Sequence, residues 1–168
     1  MMTAILGEPL LLTRRLGVGP GGRPPEAGPG VLHLPLTAEE RTRLRGLRRS
    51  ACGRDLLLQL PRGVALEPGE WLATSEDGPL VRVEAAVEPL LVVQAADPLD
   101  LLRAAYHLGN RHVALEVRAG ALRLLEDPVL ADLLRRRGLA VERCVEAFLP
   151  EGGAYAGGQE HPHPHPHP

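Results

Sequence analysis

The sequence predicts an α+β fold in three parts. These are a small N-terminal β-domain over residues 1–88, a ferredoxin-like (βαββαβ) domain over 89–150, and a disordered His-rich tail over 151–168. In the first part, turn signals recur every eight to ten residues, which is typical of short strands. In the second part, short apolar runs alternate with segments of helical periodicity. The last eight residues alternate histidine with proline and cannot pack a core.

The first part begins with an apolar stretch and then a loop. Residues 17–30 contain ten glycines and prolines among fourteen positions, so we expect a mobile surface loop. Thr37 and Glu40 have the spacing of a capping box, which predicts one helical turn. The arginines that follow alternate with other residues at the period of a strand from Arg41 onward. Four more candidate strands follow, at Leu56–Leu60, Val64–Leu66, Trp71–Thr74 and Leu80–Val87.

The boundary between the two parts is predicted at Glu88-Pro89, which separates two apolar runs. Leu90–Val93 then forms a buried strand. Asp97 is a good N-cap for the first helix, because Pro98 occupies the first helical position. Gly109 and Asn110, which tolerate a left-handed conformation, are expected to close this helix.

The remaining elements complete the βαββαβ order. Val113–Val117 and Leu122–Leu125 form a predicted hairpin around Gly120. Asp127 caps a second helix, which ends at Gly138 after three arginines. The final predicted strand is Val141–Phe148.

Composition excludes several classes of function. The 19 basic and 21 acidic residues give a net charge of −2, without the basic excess of duplex-binding proteins. Four aromatic residues are too few for a single-stranded nucleic-acid platform. Every basic residue is arginine, which excludes a Schiff-base lysine and the lysine of a phosphate-binding P-loop.

The cysteines and the N-terminus bear on the cellular compartment. Cys52 and Cys144 lie 92 positions apart and form no CxxC pair. The apolar stretch Ile5–Leu12 is interrupted by Glu8 and Pro9, which is unlike a cleavable signal. No apolar run reaches the length of about 18 residues needed for a membrane span. We therefore expect a reduced, cytoplasmic protein that binds no membrane.

Histidines concentrate in two places. Four of the seven lie in the tail, where the intervening prolines keep them apart as loosely held ligands for nickel, copper or zinc: His161, His163, His165 and His167. An inert tail or an expression remnant is the alternative. His107 and His112 flank the junction between the first helix and the next strand. One imidazole cannot hold a metal ion, but a two-fold axis near His112 would supply two.

The segment His107-Leu108-Gly109-Asn110-Arg111-His112 resembles the signature of the UreE family, the urease accessory proteins that act as nickel metallochaperones. The flanking residues 104–106 and 113–116 are similar to the family as well. The resemblance extends over residues 37–155, through further stretches at 60–63, 66–70, 129–134 and 150–155.

This resemblance implies a function. It implies a homodimer that binds Ni(II) between its protomers and delivers it to apo-urease during assembly of the urease active site. His112 is the implied interfacial ligand, His107 a supporting residue, and the tail histidines additional ligands. The implied partners are the urease accessory GTPase UreG and the urease apoprotein activation complex. Zn(II) or Cu(II) binding in vitro is also expected. Some relatives carry histidines at the segment 124–128, where this chain has none.

Three other readings stay open at this point. The protein could be a nickel store or buffer dominated by its tail. It could be an interaction module, since an arginine cluster at positions 41, 43, 45, 48, 49 and 54 could dock an acidic partner. Asn110-Arg111 is the pair that acyl phosphatases use, but no paired nucleophile and base accompanies it, so we expect no enzyme.

Overall fold

The structure is a computed structural model that describes residues 8–19, 30–74 and 78–152. Most of the predicted loop over 17–30 and of the predicted tail lies outside these residues. The elements in chain order are β1 (Leu10–Leu12), β2 (Arg14–Gly17), β3 (Val31–Leu36), α1 (Ala38–Thr42), β4 (Arg45–Arg49), β5 (Asp55–Gln59), β6 (Trp71–Ala73), β7 (Leu80–Ala85), β8 (Val87–Gln94), α2 (Pro98–Gly109), β9 (Glu116–Arg118), β10 (Ala121–Leu125), α3 (Pro128–Arg136) and β11 (Ala140–Ala147). Mixed α/β content with mostly strands agrees with the prediction.

The first half contains two small sheets. One has the strand order β1-β5-β4 and the other β2-β6-β7-β3. Inward side chains alternate along each strand and form one leucine-rich core, in which Leu12, Leu34, Leu56 and Leu72 are fully buried. Because aromatic residues are few, branched aliphatic side chains fill the core in their place.

The capping box is confirmed, and it overturns the predicted strand at Arg41. The Thr37 hydroxyl accepts the Glu40 N–H at 3.2 Å, and the Glu40 carboxylate accepts the Thr37 N–H at 2.9 Å. This reciprocal pair starts a helical turn that extends through Arg41 to Thr42. Strand β4 therefore begins only at Arg45.

The strand predicted at Val64–Leu66 is also wrong. These residues have no regular structure, because a side chain takes the place of a neighbouring strand. Arg15 donates to the Val64 carbonyl at 2.8 Å and pairs with the buried carboxylate of Glu70 at 2.6 Å. The guanidinium satisfies backbone acceptors that would otherwise need a sheet partner.

The second half has the predicted order of strand, helix, two strands, helix and strand. Its four strands form one antiparallel sheet in the order β11-β8-β10-β9, and α2 and α3 pack on one face of it. Both N-caps are confirmed: Asp97 accepts the Leu99 N–H at 2.9 Å, and Asp127 accepts the Val129 N–H at 2.7 Å. No helix in the described ranges is long and apolar enough to cross a membrane.

Two strands in this half start three residues away from the predicted position, and the other strand ends shift by no more than one residue. Strand β8 starts at Val87 rather than Leu90 and continues through Pro89, because β11 pairs with it along its whole length. Strand β9 starts at Glu116 rather than Val113, since the Val113 N–H bonds back to the Leu108 carbonyl and residues 113–115 have no regular structure.

The two halves contact each other around a buried arginine. Arg41 is 5% exposed and donates to the carbonyls of Leu36 at 3.2 Å and of Phe148 at 2.7 Å. Nearby, the Glu88 carboxylate accepts the Ala38 N–H at 2.7 Å. Burial lowers the pKa of Arg41, and the charge of Glu88 opposes that shift. The start of α1 and the end of β11 are thereby joined.

Candidate metal site

The end of helix α2 places His112 in an unusual backbone conformation. The Leu108 carbonyl accepts the Val113 N–H at 3.1 Å, and the Gly109 carbonyl accepts the His112 N–H at 2.9 Å. These two bonds form a Schellman motif, whose left-handed position usually carries glycine. Here that position is His112, with φ 57°. The prediction that Gly109 and Asn110 supply the left-handed residue is wrong, since Asn110 has φ −63°.

This conformation has an energetic cost. A left-handed backbone costs a residue with a Cβ on the order of 1 kcal/mol relative to glycine. Among the described residues, His112 alone has a positive φ without being glycine. Its side chain is exposed. Local strain at an exposed polar residue is typical of a functional position.

Two other histidines are described, His33 and His107. His107 is exposed in the last turn of α2, with its ring edge-on to Tyr106 at a centroid distance of 5.6 Å. His33 lies on β3 in the first half and contacts Glu84 at 2.6 Å. In the described residues, no three His, Cys, Asp or Glu side chains are close enough together to hold a metal ion. The four tail histidines lie outside the described residues.

Helix α2 has two unlike exposed flanks beside its buried face. Ala104 and Leu108 face the core. One flank carries Leu99, Leu102 and Tyr106, which are 47%, 67% and 68% exposed. We call this the apolar flank. The opposite, polar flank carries Asp100, Arg103 and His107. These three side chains recur at the i, i+3, i+7 spacing, so they lie on one side of the helix.

Gly109 lies on the apolar flank, and nothing in the described chain requires a glycine there. A Cβ at this position would have no atom within 4 Å, and its φ is not positive. Alanine would favour the helix by about 0.5–1 kcal/mol. The surface above Gly109 is therefore free for the close approach of another backbone.

The sequence did not predict a buried ion network on the sheet of the second half. Arg123, 2% exposed, lies between Glu116 and Glu146, with a distance of 3.0 Å to each carboxylate. Arg118 contacts Glu116 at 2.6 Å, and the second oxygen of Glu116 accepts the Leu149 N–H at 3.0 Å. The signal was a charged residue inside the apolar strand β10.

The environment of Glu116 favours its charged form. Burial on its own raises the pKa of this carboxyl, but the Leu149 N–H, the hydrogen bond from Arg118 and the charge of Arg123 outweigh it. The pKa of Glu116 is therefore lowered. The carboxylate fixes the chain just after β11, at the start of the segment that leads to the tail.

The acidic residues that precede α3 have structural roles. Glu126 contacts Arg143 at 2.8 Å, and Asp127 caps the helix. Neither needs a metal ion to explain its position, and the cap at Asp127 is the one that the sequence predicts.

Comparisons with known proteins agree with these features. Residues 15–86 match the N-terminal domain of the UreE urease accessory protein, and residues 88–168 match its C-terminal domain. The chain is 56% identical over 155 residues to the urease accessory protein UreE of Synechococcus sp. (strain WH7805), covering 92% of this chain and 87% of that protein. It is 57% identical over 131 residues to that of Synechococcus sp. (strain CC9311), covering 78% and 84%. It is 50% identical over 128 residues to that of Burkholderia lata, covering 76% and 61%. Together with the motif at the end of α2, these matches show that the chain belongs to the UreE family of urease accessory proteins.

Proposed function

We propose that this protein is a nickel metallochaperone, which delivers Ni(II) to apo-urease while the urease active site is assembled. The metal binds at His112, between the two protomers of a homodimer. The observation that carries the proposal is the exposed, strained His112 at the end of α2, in a described chain where no three potential ligand side chains lie close enough together to hold a metal ion. Within this proposal, residues 89–150 are a ferredoxin-like metal-binding domain and residues 1–88 a separate β-domain.

Two imidazoles, one from each protomer, give a site that is suited to transfer. A two-fold axis near His112 presents the residue twice. Imidazole is a good ligand for Ni(II), but two imidazoles leave most coordination positions to water or to other ligands. Such an incomplete site exchanges its metal when a recipient offers its own ligands. This property distinguishes a chaperone from a closed structural site.

The apolar flank of α2 is the proposed contact between protomers. Leu102 and Tyr106 would lose their exposed area on dimerisation, which contributes roughly 25 cal/mol per Å² of apolar surface. Gly109 allows the two helices to approach closely just before His112. The spacing of the two imidazoles is then set by the helix contact rather than by a loop.

The tail histidines are proposed as additional ligands. The Glu151 N–H donates to the Leu115 carbonyl at 2.7 Å. The chain therefore enters the tail beside Leu115, which follows His112 by three positions in the sequence. The ten residues from Glu151 to His161 span at most about 33–36 Å. His161 lies at the end of this span, and the other three tail histidines follow it closely in the sequence: His163, His165 and His167. They would capture nickel weakly and complete the coordination of the interfacial ion.

The proposed partners are the UreG GTPase and the urease apoprotein activation complex, and the proposed compartment is the cytoplasm. Cu(II) and Zn(II) are expected to bind in vitro, because imidazole is a suitable ligand for both metals and binds copper more tightly than nickel. Selectivity then depends on metal supply and partner. We propose no catalytic activity for the chain.

A nickel store or buffer is the second candidate. It is favoured by one observation, the four closely spaced tail histidines, which outnumber the two in the family motif. In that case the tail would hold most of the metal and His112 would contribute little.

Nickel titration calorimetry combined with solution mass separates the two candidates. The full chain, a 1–160 truncation, His112→Ala and His107→Ala are compared. We expect a dimer whose tightest site survives truncation and the His107 substitution, and disappears with His112. His107→Ala is the matched control, since it removes an exposed imidazole from the same motif.

The opposite pattern would reject the proposal. If tight binding vanished with the tail and persisted in His112→Ala, the protein would be a nickel store. If His112→Ala retained both the tight site and the activation of urease, delivery through His112 would be wrong.

A further inference from the structure

The turn that ends helix α2 presents Arg111 directly before His112. The Arg111 N–H donates to the Leu108 carbonyl at 3.0 Å, and the His112 N–H donates to the Gly109 carbonyl at 2.9 Å. Adjacent Cα atoms are about 3.8 Å apart, so the two side chains leave the backbone at neighbouring points of one fixed turn. Both side chains are exposed.

Arg111 forms no ion pair with a carboxylate in the part of the chain that the structure describes. Most arginines of the second half do form such pairs. Arg103 contacts Asp100 at 2.9 Å, for example, and Arg143 contacts Glu126 at 2.8 Å. The positive charge of Arg111 is therefore not matched by a neighbouring carboxylate among the described residues.

Acidic residues are also absent from the sequence on both sides of His112, over residues 101–115. Asp100 lies in the first turn of α2, about 14 Å along the helix axis from the turn at Gly109. The carboxylate of Glu116 is buried and already paired with arginines. Arg111 is thus the charged residue nearest to His112 along the chain, and its charge has the same sign as a metal ion.

We propose that Arg111 weakens the nickel site at His112 and thereby promotes release of the metal, an inference that rests on the proposed function. A two-fold axis near His112 brings two Arg111 side chains to the site as well as two imidazoles. Two guanidinium charges repel a divalent cation, whereas they attract an incoming anionic ligand. The site then holds nickel less tightly than two imidazoles alone and gives it up more readily to anionic ligands than to neutral ones.

A structural role for Arg111 is the alternative, because a cation near a helix C-terminus stabilises the helix. Such a role predicts a less stable protein when the charge is removed, with nickel binding unchanged or weaker. Our proposal predicts tighter binding. The sign of the change in nickel affinity therefore separates the two explanations.

Nickel titration of full-length Arg111→Gln and Arg111→Ala at low salt measures this sign. Both variants should bind nickel about threefold to tenfold more tightly than the wild-type chain, because the repulsion is removed. The difference should fall below about twofold near 1 M salt, where charges are screened over about 3 Å. Arg111→Lys should bind like the wild-type chain, because it keeps the positive charge.

Transfer of nickel to two chelators tests the preference for anionic ligands. The nickel-loaded full chain is mixed in a stopped-flow instrument with excess mag-fura-2, whose carboxylates make it anionic, or with excess terpyridine, which is neutral. Formation of each nickel complex is followed optically. The ratio of the mag-fura-2 rate to the terpyridine rate should fall about threefold or more in Arg111→Gln, because the attraction of the anion is lost.

Arg136→Gln is the matched control. Arg136 is exposed in the last turn of α3, and it too forms no ion pair among the described residues. Its substitution changes the net charge by the same amount and should leave affinity and rate ratio within about twofold. Sedimentation velocity sets a protein concentration at which every variant is fully dimeric, so that altered dimerisation does not change the measured affinity.

Three results would overturn the inference about Arg111. The first is equal or weaker nickel binding in both uncharged variants. The second is tightening in Arg111→Gln alone, which would make its amide a ligand. The third is loss of the effect in a 1–152 truncation, which keeps every described residue and would show that Glu160 of the tail carries the effect.

His112→Ala keeps the two proposals distinguishable. If it removes the tight site while Arg111→Gln binds like the wild-type chain, the inference about Arg111 is wrong and the proposed function stands. If the tight site does not depend on His112, the proposed function is wrong and this inference fails with it.

Discussion

His112 is the residue at which backbone strain and the proposed metal chemistry meet. It occupies a position where glycine would be more stable, and it is one of the two exposed imidazoles of the family motif. Its strain is maintained by the bonds from Val113 to Leu108 and from His112 itself to Gly109. The side chain is thereby presented by a fixed turn rather than by a free loop.

Two substitutions at His112 should separate strain from chemistry. His112→Gly should be more stable than His112→Ala by about 1 kcal/mol, because glycine adopts the left-handed conformation without a Cβ penalty. Both variants should lose the tight nickel site equally. Urea denaturation of the metal-free proteins at one concentration, followed by nickel titration, measures both quantities. Equal stability of the two variants would contradict the strain argument.

Glu116 should make stability depend on pH. Its pKa is lowered in the folded protein, so its contribution is complete above the ordinary glutamate pKa of about 4.3 and is lost as pH falls through the lower folded value. Glu116→Gln should destabilise the protein by about 1–3 kcal/mol at neutral pH. This difference in the free energy of unfolding should become smaller below about pH 4, because the protonated glutamate is uncharged, as the amide is. Arg118, Arg123 and Glu146 are the charged groups that surround it.

Urea denaturation at several pH values measures this gap. Glu39→Gln is the control, since Glu39 forms only an exposed pair with Arg43 and should show no comparable gap. A gap that stays constant as the pH falls would show that Glu116 acts through its shape and not its charge.

Single residues were predictable only where a local motif defines them. The capping residues Thr37, Asp97 and Asp127 were correct because a cap depends on a few neighbouring residues, whereas the metal at His112 stays a prediction. The buried pair of Glu116 and Arg123 could not be predicted, since it depends on the register of β9 against β10. The conformation of His112 was missed because composition favours glycine or asparagine there.

Helix α2 is the element whose surface bears most directly on the proposed dimer. Its apolar flank, its polar flank and its buried face are defined by 3.6-residue periodicity. The sequence predicted the helix and its start, because the cap and the proline are adjacent. It did not predict that one exposed flank would be apolar, since that depends on which face meets the sheet.

Gly109→Ala should have opposite effects on the helix and on the dimer. Alanine should stabilise α2 by about 0.5–1 kcal/mol, because it has the higher helix propensity. The added methyl group should weaken the proposed close approach of two protomers and lower nickel affinity. Thermal unfolding, sedimentation velocity and nickel titration measure these effects. Arg103→Ala, on the polar flank, is the control and should leave dimerisation unchanged. A Gly109→Ala dimer with unaltered nickel affinity would contradict the proposed helix contact.

The strands show why element boundaries are harder to predict than element types. Pro89 reads as a break in the sequence, but β8 continues through it because it pairs with β11 at that point. The composition of Val64–Leu66 predicts a strand, but these residues form none. The Val64 carbonyl accepts from Arg15, which also pairs with Glu70, and both residues come from elsewhere in the chain. Long-range contacts decided both cases.

At the scale of the molecule, Arg41 connects the two halves across 107 positions of sequence. No periodicity or motif in the sequence relates α1 to the end of β11. The sequence therefore predicted the two halves separately and not their contact. The buried guanidinium depends on both the Phe148 carbonyl and the charge of Glu88.

Arg41→Met should loosen this contact. The substitution leaves the Phe148 carbonyl without its donor and Glu88 without a nearby cation, which should cost about 2–4 kcal/mol. Hydrogen exchange should increase at residues 148–151 and at the start of α1. Arg43→Met, two positions away but exposed, is the control and should change stability by less than about 1 kcal/mol. Exchange confined to one half would show that the halves are not coupled through Arg41.

The left-handed turn at His112 also restricts which amino acids can replace this residue during evolution. Few side chains tolerate this backbone, so a lineage that no longer handled metal would gain stability by replacing the histidine with glycine or, less so, asparagine. Other replacements would keep the penalty without the ligand. The identity of this one residue in a distant homologue should therefore reveal whether selection for metal handling still acts on it.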